Sequence, residues 1–558
     1  MNYLIILFYL FVAILTFGKL PFGFFQQDEW LIFGTYLYLD KAPLDWLQRF
    51  FIYKQVTHLV PFTHFISYAQ FELFRLNFFF YGVVAIILHL TNAILVYYLS
   101  SLLLKKRFLS FISGFLFLTT SISHQGFTWI ATTISTSNST LFLLLSLIFF
   151  TKYLNQTISQ IRYIILSTVF FAISLLFKEN SIFTFLFLPA FWFIYKRKDF
   201  TKLKMGLIIL FPLGFFYTTI RIVNFFIISL SNSMEAAFAQ PGLDVYVYRI
   251  FTLPLRFISQ GILPQEFIIK IANNLMKLSY PPNSMLLKEL SPYIAQSVGA
   301  DIVSFFFSVM VIIICIIFLF LYKGRVQQYS KTILVSLVFI SLSSLPFIFV
   351  PGKAGYNSLV DGRHLYITEI FTSILLPSLS FGFYILLRKS RIALALLVIT
   401  FVLVSYYHIT NIRSELQDQV QIGFLRKGIL EQIYSNYPHL PQSIIFYVES
   451  DKAYYGLPPE ETVVPFQSGF GQTLLVWYND HGELFPACFF QDQYLYVQES
   501  VGYRECDGRG FGYVRSLAAL RRILKDYQLS SDNLIAFSWN SSKGELRDIT
   551  IDTHEAIK

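Results

Sequence analysis

The sequence predicts an all-α polytopic membrane protein of about eleven transmembrane helices, closed by a small α/β or α+β domain. Three observations predict it. The 558 residues are 55% hydrophobic, 19% aromatic and only 14% charged, with a mean hydropathy of +0.57; a soluble domain carries roughly a quarter charged residues. Apolar runs of spanning length recur with short charged punctuation between them. The character then changes near residue 411: residues 1–410 hold 30 Lys/Arg against 14 Asp/Glu, and residues 411–558 hold 13 against 19.

The spans fall near 3–19, 80–104, 108–123, 139–151, 163–177, 181–195, 205–220, 301–322, 331–350, 366–387 and 391–408. The first run, Tyr3 to Phe17, has no basic n-region and no small-residue cleavage site, so it is read as an uncleaved span. Every second connection is short and basic: Lys105-Lys106-Arg107, Lys152 to Arg162, Lys196-Arg197-Lys198, Lys323 with Arg325, and Arg388-Lys389 with Arg391. Positive loops stay in the cytoplasm. The odd number of spans then puts the N-terminus inside and the tail outside the cell membrane. The outer connections are the long ones, 20–79, 124–138, 221–300 and 351–365. Within them Tyr246 to Leu263 mixes aromatics with Arg249 and Arg256, the pattern of a helix lying in the membrane interface.

Residues 1–410 therefore form the membrane domain and 411–558 the outer one. The tail opens with a helix-like segment, Ile412 to Tyr434, closed by Pro438 and Pro441. Ser443 to Val448 and Thr473 to Tyr478 read as strands, with turn signals at Pro458-Pro459 and Asn479-Asp480-His481-Gly482. Cys488 and Cys506 have no metal-ligand spacing. They are a disulfide pair or two thiols depending on the compartment.

The net charge of +10 does not signal nucleic acid, because no basic stripe is interleaved with exposed aromatics. No Gly-rich phosphate loop and no Ser/His/Asp spacing is present. Carboxylates are costly against hydrocarbon, so the adjacent Asp28 and Glu29, just after the first span, are the best pointer to chemistry. A carboxylate there can take a proton from a hydroxyl, or help position a metal; as a structural feature Asp28 would cap a helix. Asp45 is a weaker candidate in the same loop. His58 and His64 flank Pro61 and are either phosphate or metal contacts or polar anchors at the surface. His89 and Asn92, one turn apart inside the second span, read as helix-packing groups. Lys178 and Glu179 separate two short apolar runs at the outer surface, where an ammonium oriented by a carboxylate suits a lipid-linked phosphate. Arg221 ends the seventh span, and Arg363, followed by Tyr366, offers a planar fork for phosphate oxygens. No cofactor is fixed by these residues; a divalent metal is compatible with them, and its ligands are not identifiable.

These pieces, over about residues 20–370, resemble the GT-C superfamily of polytopic glycosyltransferases. They look most like bacterial relatives of the protein O-mannosyltransferases and of the transmembrane mannosyltransferases that carry tetratricopeptide repeats. The carriers, in the family's order, are Asp28-Glu29, Asn77 to Gly82 with His89 to Tyr97, Gln125 to Ile130, Lys178-Glu179 and Arg363 to Tyr366. The resemblance implies a polyprenyl-phosphate sugar donor and transfer at the outer face. It implies Asp28 as catalytic base with Glu29 beside it, and Lys178 and Arg363 on the lipid phosphate. Two departures stand out: Ser121 to Gln125 lacks the acid of the family's His-Pro-x-His-x-Glu pattern, and the tetratricopeptide tail is replaced by the mixed domain. The acceptor, a protein, a cell-envelope glycan or a lipid, therefore does not carry over. A polysaccharide polymerase or ligase is a near variant of this reading. The contrasting one is a non-enzymatic lipid-linked oligosaccharide flippase or transporter with an outer sensory domain; membrane lipids surround the chain on any of them.

Overall fold

The computed structural model describes residues 3–26, 28–41, 59–155, 161–196, 210–220, 223, 243–279, 292–321, 327–348, 359–387, 390–452, 464–466, 469–491 and 502–557. Among them seven helices are long and apolar enough to cross a bilayer: Tyr3–Phe22, Phe78–Leu104, Ile130–Asn155, Val298–Phe320, Gln328–Ile348, Glu369–Leu386 and Arg391–Asn436. Three shorter apolar helices, Arg107–Thr119, Ile161–Phe177 and Leu210–Ile220, join them, as does Thr184–Lys196, which carries Pro189. Each of these falls on one of the expected spans. The chain divides into two compact units, one of Met1–Gly18, Phe50–Ile66 and Val84–Arg413, the other of Lys19–Arg49, Ser67–Val83 and Ser414–Lys558.

In the first unit, small hydroxylated residues let helices approach closely, as membrane packing requires. Ser139 and Ser146, one heptad apart on Ile130–Asn155, meet Ser174 and Ser167 on Ile161–Phe177 with Oγ separations of 3.0 and 3.1 Å. The same Ser174 and Ser167 hydroxyls also donate to the backbone carbonyls of Ser139 and Ser146. Elsewhere the packing is aromatic: Phe339 lies 4.8 Å from Phe187 and 4.3 Å from Phe371, linking three helices.

Two sequence expectations change here. Leu243–Ile262 does not turn its arginines to the headgroups: Arg249 and Arg256 are buried. Arg256 binds Asp301 with Nε and Nη2 at 2.6 and 2.7 Å, and Arg249 donates to the Ile348 carbonyl at 3.1 Å. The counter-charge comes from a distant helix, which a local pattern does not reveal. Likewise the span ending at 408 and the helix beginning at 412 are one helix, Arg391–Asn436. Nothing between His408 and Ile412 is a Gly or Pro, so nothing stops it.

The second unit holds a five-stranded sheet ordered β2-β3-β1-β4-β5: β1 Ser443–Ser450, β2 Tyr503–Cys506, β3 Arg509–Val514, β4 Leu534–Asn540 and β5 Glu545–Asp548. β1 is central and parallel to β3 and β4, and the two outer pairs are antiparallel. Being covered on both sides, β1 reads as a continuous apolar run, Ile444 to Val448. The β3–β4 crossover is the Leu517–Asp526 helix, capped by Ser516, whose hydroxyl accepts from the Ala519 N–H at 3.2 Å. Its Leu520 and Ile523 pack on Ile445, Val514 and Ala536.

The expected strand Thr473 to Tyr478 is instead the middle of a helix, Phe470–Asp480, with every residue from Phe470 to Tyr478 buried. A short apolar run is buried on all sides in either form, and periodicity does not separate the two. Gly469, at φ 64°, starts the helix in a backbone region that suits glycine. One flank of this helix meets the sheet through Phe470 and Tyr513 at 5.6 Å. The other meets Asp28–Lys41, whose Gly34 lies so close to Gln472 that a Cβ there would sit 2.1 Å from its Nε2. The Asp28–Lys41 helix is thus built into the same unit as the C-terminal sheet. Cys488 and Cys506 form a disulfide beside β2.

Candidate functional site

Asp28 and Glu29 open the Asp28–Lys41 helix. A helix N-terminus gathers unpaired N–H groups and favours negative charge. Glu29 is buried, and its Oε2 accepts from the Gln26 N–H at 3.4 Å, reaching back as a capping carboxylate does. Asp28 is half-buried. The next turns are pinned by aromatics: Phe25 contacts Trp30, Phe33, Phe78 and Tyr81 with centroids 4.9 to 5.7 Å apart. The pair belongs to the second unit.

The other motif pieces converge in the first unit around the N-terminal half of one helix, Ile130–Asn155. Trp129, just before it, lies under the Arg363 guanidinium at 4.4 Å. Asp361 pairs with Arg363 Nε at 2.8 Å, and its carboxylate also accepts the Arg363 N–H at 3.3 Å, closing the Gly362–Leu365 turn. Seven residues beyond Trp129, Thr136 accepts a hydrogen bond from Lys178 Nζ at 2.7 Å. That spacing corresponds to about 10 Å of helix rise. Lys178 is buried and precedes the turn Glu179–Phe183, which Glu179 begins.

Next along the same helix, the Ser137 carbonyl accepts from Asn92 Nδ2 at 3.0 Å. Asn92 also donates to the Tyr366 hydroxyl at 3.3 Å, and that hydroxyl lies 2.7 Å from His89 Nδ1. His89 Nε2 lies 3.1 Å from the Leu118 carbonyl, which only accepts, so Nε2 carries the proton and Nδ1 accepts from Tyr366. The direction Asn92 to Tyr366 to His89 to Leu118 is fixed by that carbonyl. His89 is further clamped by Phe127, stacked at 3.8 Å. Tyr366, expected as a substrate contact, is fully buried with its hydroxyl committed to this chain, so it positions the segment that follows Arg363. His89 and Asn92 serve packing, as the spacing indicated.

His64 sits in the first turn of Pro61–Phe74, its N–H donating to the Val60 carbonyl at 3.3 Å. His58, Asp45 and Arg221 lie outside the described residues. The residues missed by sequence reasoning are Trp129 as the platform of Arg363 and Thr136 as the partner of Lys178; Trp129 lies within the Gln125 to Ile130 segment and Thr136 two turns beyond it on the helix that follows, which was the available signal.

A metal at the acid pair would need further oxygen or nitrogen ligands. Among the described residues the one grouping of three metal-ligating side chains is Cys488, Cys506 and Asp507, and its two sulfurs are bonded to each other. These residues do not fit a resident cation in the oxidised protein.

Fold and site define a multi-pass helical membrane protein with a C-terminal mixed-sheet domain, in which Lys178 and Arg363 are both mounted along one transmembrane helix. No protein-family model matches the chain, and no curated protein matches it in sequence. Among solved structures it is similar to ArnT from Cupriavidus metallidurans bound to undecaprenyl phosphate, at 11% identity and TM-score 0.33 over 96% of this chain and 92% of that one. The apo state of the same protein aligns at 12% identity and TM-score 0.32 over 96% and 93%.

Proposed function

We propose that the chain is a membrane glycosyltransferase that moves a sugar from a polyprenyl-phosphate donor to an acceptor hydroxyl at the outer face of the membrane. The single observation that supports this is the mounting of Arg363 and Lys178 on Trp129 and Thr136, two fixed cations along one helix, near the outer end assigned by the charge pattern. In this reading Lys178 and Arg363 hold the phosphate. Asp361 forms an ion pair on the Nε side of the guanidinium, and the two Nη groups are the fork that meets phosphate oxygens in this reading. Glu179 orients Lys178, and His64, His58 and Arg221 are outer donor contacts.

Asp28, with Glu29 anchoring its helix, takes the acceptor proton. The acceptor oxygen attacks the anomeric carbon, the carbon–phosphate-oxygen bond breaks with inversion, and the polyprenyl phosphate leaves with its charge met by the two cations. The basic inner loops and the Cys488–Cys506 disulfide support an outer tail and an inner N-terminus. Incubating the purified protein with a panel of polyprenyl-phosphate sugars and scoring sugar consumption tests the reading. Consumption of none of them would remove it.

A further inference from the structure

The second unit contains an open cavity of about 450 Å³, within the usual range for small-molecule sites, roughly 300–1,000 Å³. Its wall is assembled from four separate stretches of sequence, contributing Phe24, Arg75, Tyr434, and Trp477 with Asp480 and His481. The aromatic part is continuous: Trp477 lies 6.3 Å from Phe24 and 4.3 Å from His481, and His481 lies 4.7 Å from Tyr434. Trp477 is only 5% exposed, yet its indole N–H has no hydrogen-bond partner among the described residues. Buried donors are normally paired; this one has almost no accessible surface and is an unpaired group of the wall, not a contact that a ligand reaches.

The polar part is mixed in sign. Arg75 and Lys427 face Asp480 and Glu431, which leaves no net charge for an anion to seek. Lys427 and Glu431 are already paired at 3.5 Å on the rim. His481 Nδ1 lies 2.8 Å from the Trp477 carbonyl, so Nδ1 carries the proton and Nε2 is the acceptor. Arg75 ends the Pro61–Phe74 helix at φ 46°, a left-handed conformation that a glycine would adopt more easily. A bulky side chain is therefore held there against its backbone preference, with Glu72 at 2.8 Å steering the guanidinium. Burial pushes the Asp480 carboxyl above its ordinary pKa, while His481 and Arg75 pull it back.

We propose that this cavity is a saccharide-binding subsite for a neutral sugar. Aromatic faces suit the C–H faces of a pyranose, and the Asp480 carboxylate, the Arg75 guanidinium and His481 Nε2 together supply the donors and acceptors that vicinal hydroxyls need. Phe24 precedes Asp28 by four residues, so the chain itself keeps the backbone of Phe24, in the cavity wall, within about 14 Å of the backbone of Asp28. On the glycosyltransferase reading, on which this step alone rests, the subsite holds a glycan acceptor and presents its hydroxyl to Asp28.

The test uses the full-length protein in detergent with methyl glycosides of glucose, galactose, mannose and N-acetylglucosamine, read by saturation-transfer NMR. At least one glycoside binds, and Trp477→Phe and Asp480→Asn each weaken it about tenfold. Should Trp477→Phe fold poorly, Arg75→Gly, which relieves the backbone, keeps its melting transition and still loses affinity. Absence of binding by all four glycosides, binding untouched in the folded variants, or displacement of the glycoside by inorganic phosphate would overturn the proposal. Donor consumption on the same preparation separates the two readings. Glycoside binding without consumption keeps the subsite and removes the enzyme, and consumption without glycoside binding does the reverse.

Discussion

Lys178 donates its ammonium hydrogen bond to Thr136 at 2.7 Å, across 42 residues of sequence. A buried ammonium is costly to desolvate, and the Thr136 hydroxyl fixes where this one points.

Lys178→Met therefore costs a charge-assisted contact, on the order of 1.5–3 kcal/mol of donor affinity. Thr136→Val, which leaves the charge and removes its anchor, costs less. Titration with polyprenyl phosphate checks both, and equal affinity in wild type and Lys178→Met would assign Lys178 to structure.

Arg363→Lys keeps the charge but loses both the fork and the stacking on Trp129. Donor affinity falls in this variant as in Arg363→Ala, with partial recovery. Full recovery by lysine would show that only a point charge is needed.

For the acid pair, Asp28→Asn keeps the helix start and removes the base, so turnover drops about 10²–10⁴-fold with donor binding retained. Glu29→Gln acts mainly on stability, because Glu29 is the buried member. Near-normal turnover in Asp28→Asn moves the search to Asp45 and Glu179.

Tyr366→Phe leaves the His89 Nδ1 acceptor buried without its donor, a loss of roughly 1–3 kcal/mol. Thermal unfolding in detergent reads it. An unchanged midpoint would mean that the hydroxyl is dispensable to the helix packing around Asn92.

The tail carries a pH-dependent clamp. Glu483 binds Arg509 at 2.6 Å and accepts the Leu440 N–H at 3.1 Å. Burial raises its pKa, but the Leu440 and Arg509 contacts outweigh that and hold it below the ordinary value of 4.5. A lowered carboxylate stabilises the fold above its unfolded pKa, and that contribution is lost as pH falls through the folded one. Arg509→Gln lowers the melting temperature at neutral pH, and the gap to wild type closes in acid; a gap independent of pH would refute the clamp.

By itself the sequence determined what depends on local composition. Each expected span coincides with an apolar helix, because about twenty apolar residues in a row have few other fates. Ser443 to Val448 was legible as a strand because its run is short, apolar and bounded by prolines and an acid. The order of the polar motif pieces was legible too, since it is a property of the chain. The tertiary structure alone decided which pieces meet. It made Thr473 to Tyr478 helical, because a segment buried on every side has no periodicity to declare its form. It turned Arg256 inward to Asp301, 45 residues away, where a local reading sees only an interfacial arginine. It drew residues 19–49 and 67–83 into one unit with the tail, and there set Phe24, Arg75 and Trp477 around a common cavity. Ion pairs and cavities are made by groups far apart in sequence, and spacing along the chain carries no record of them.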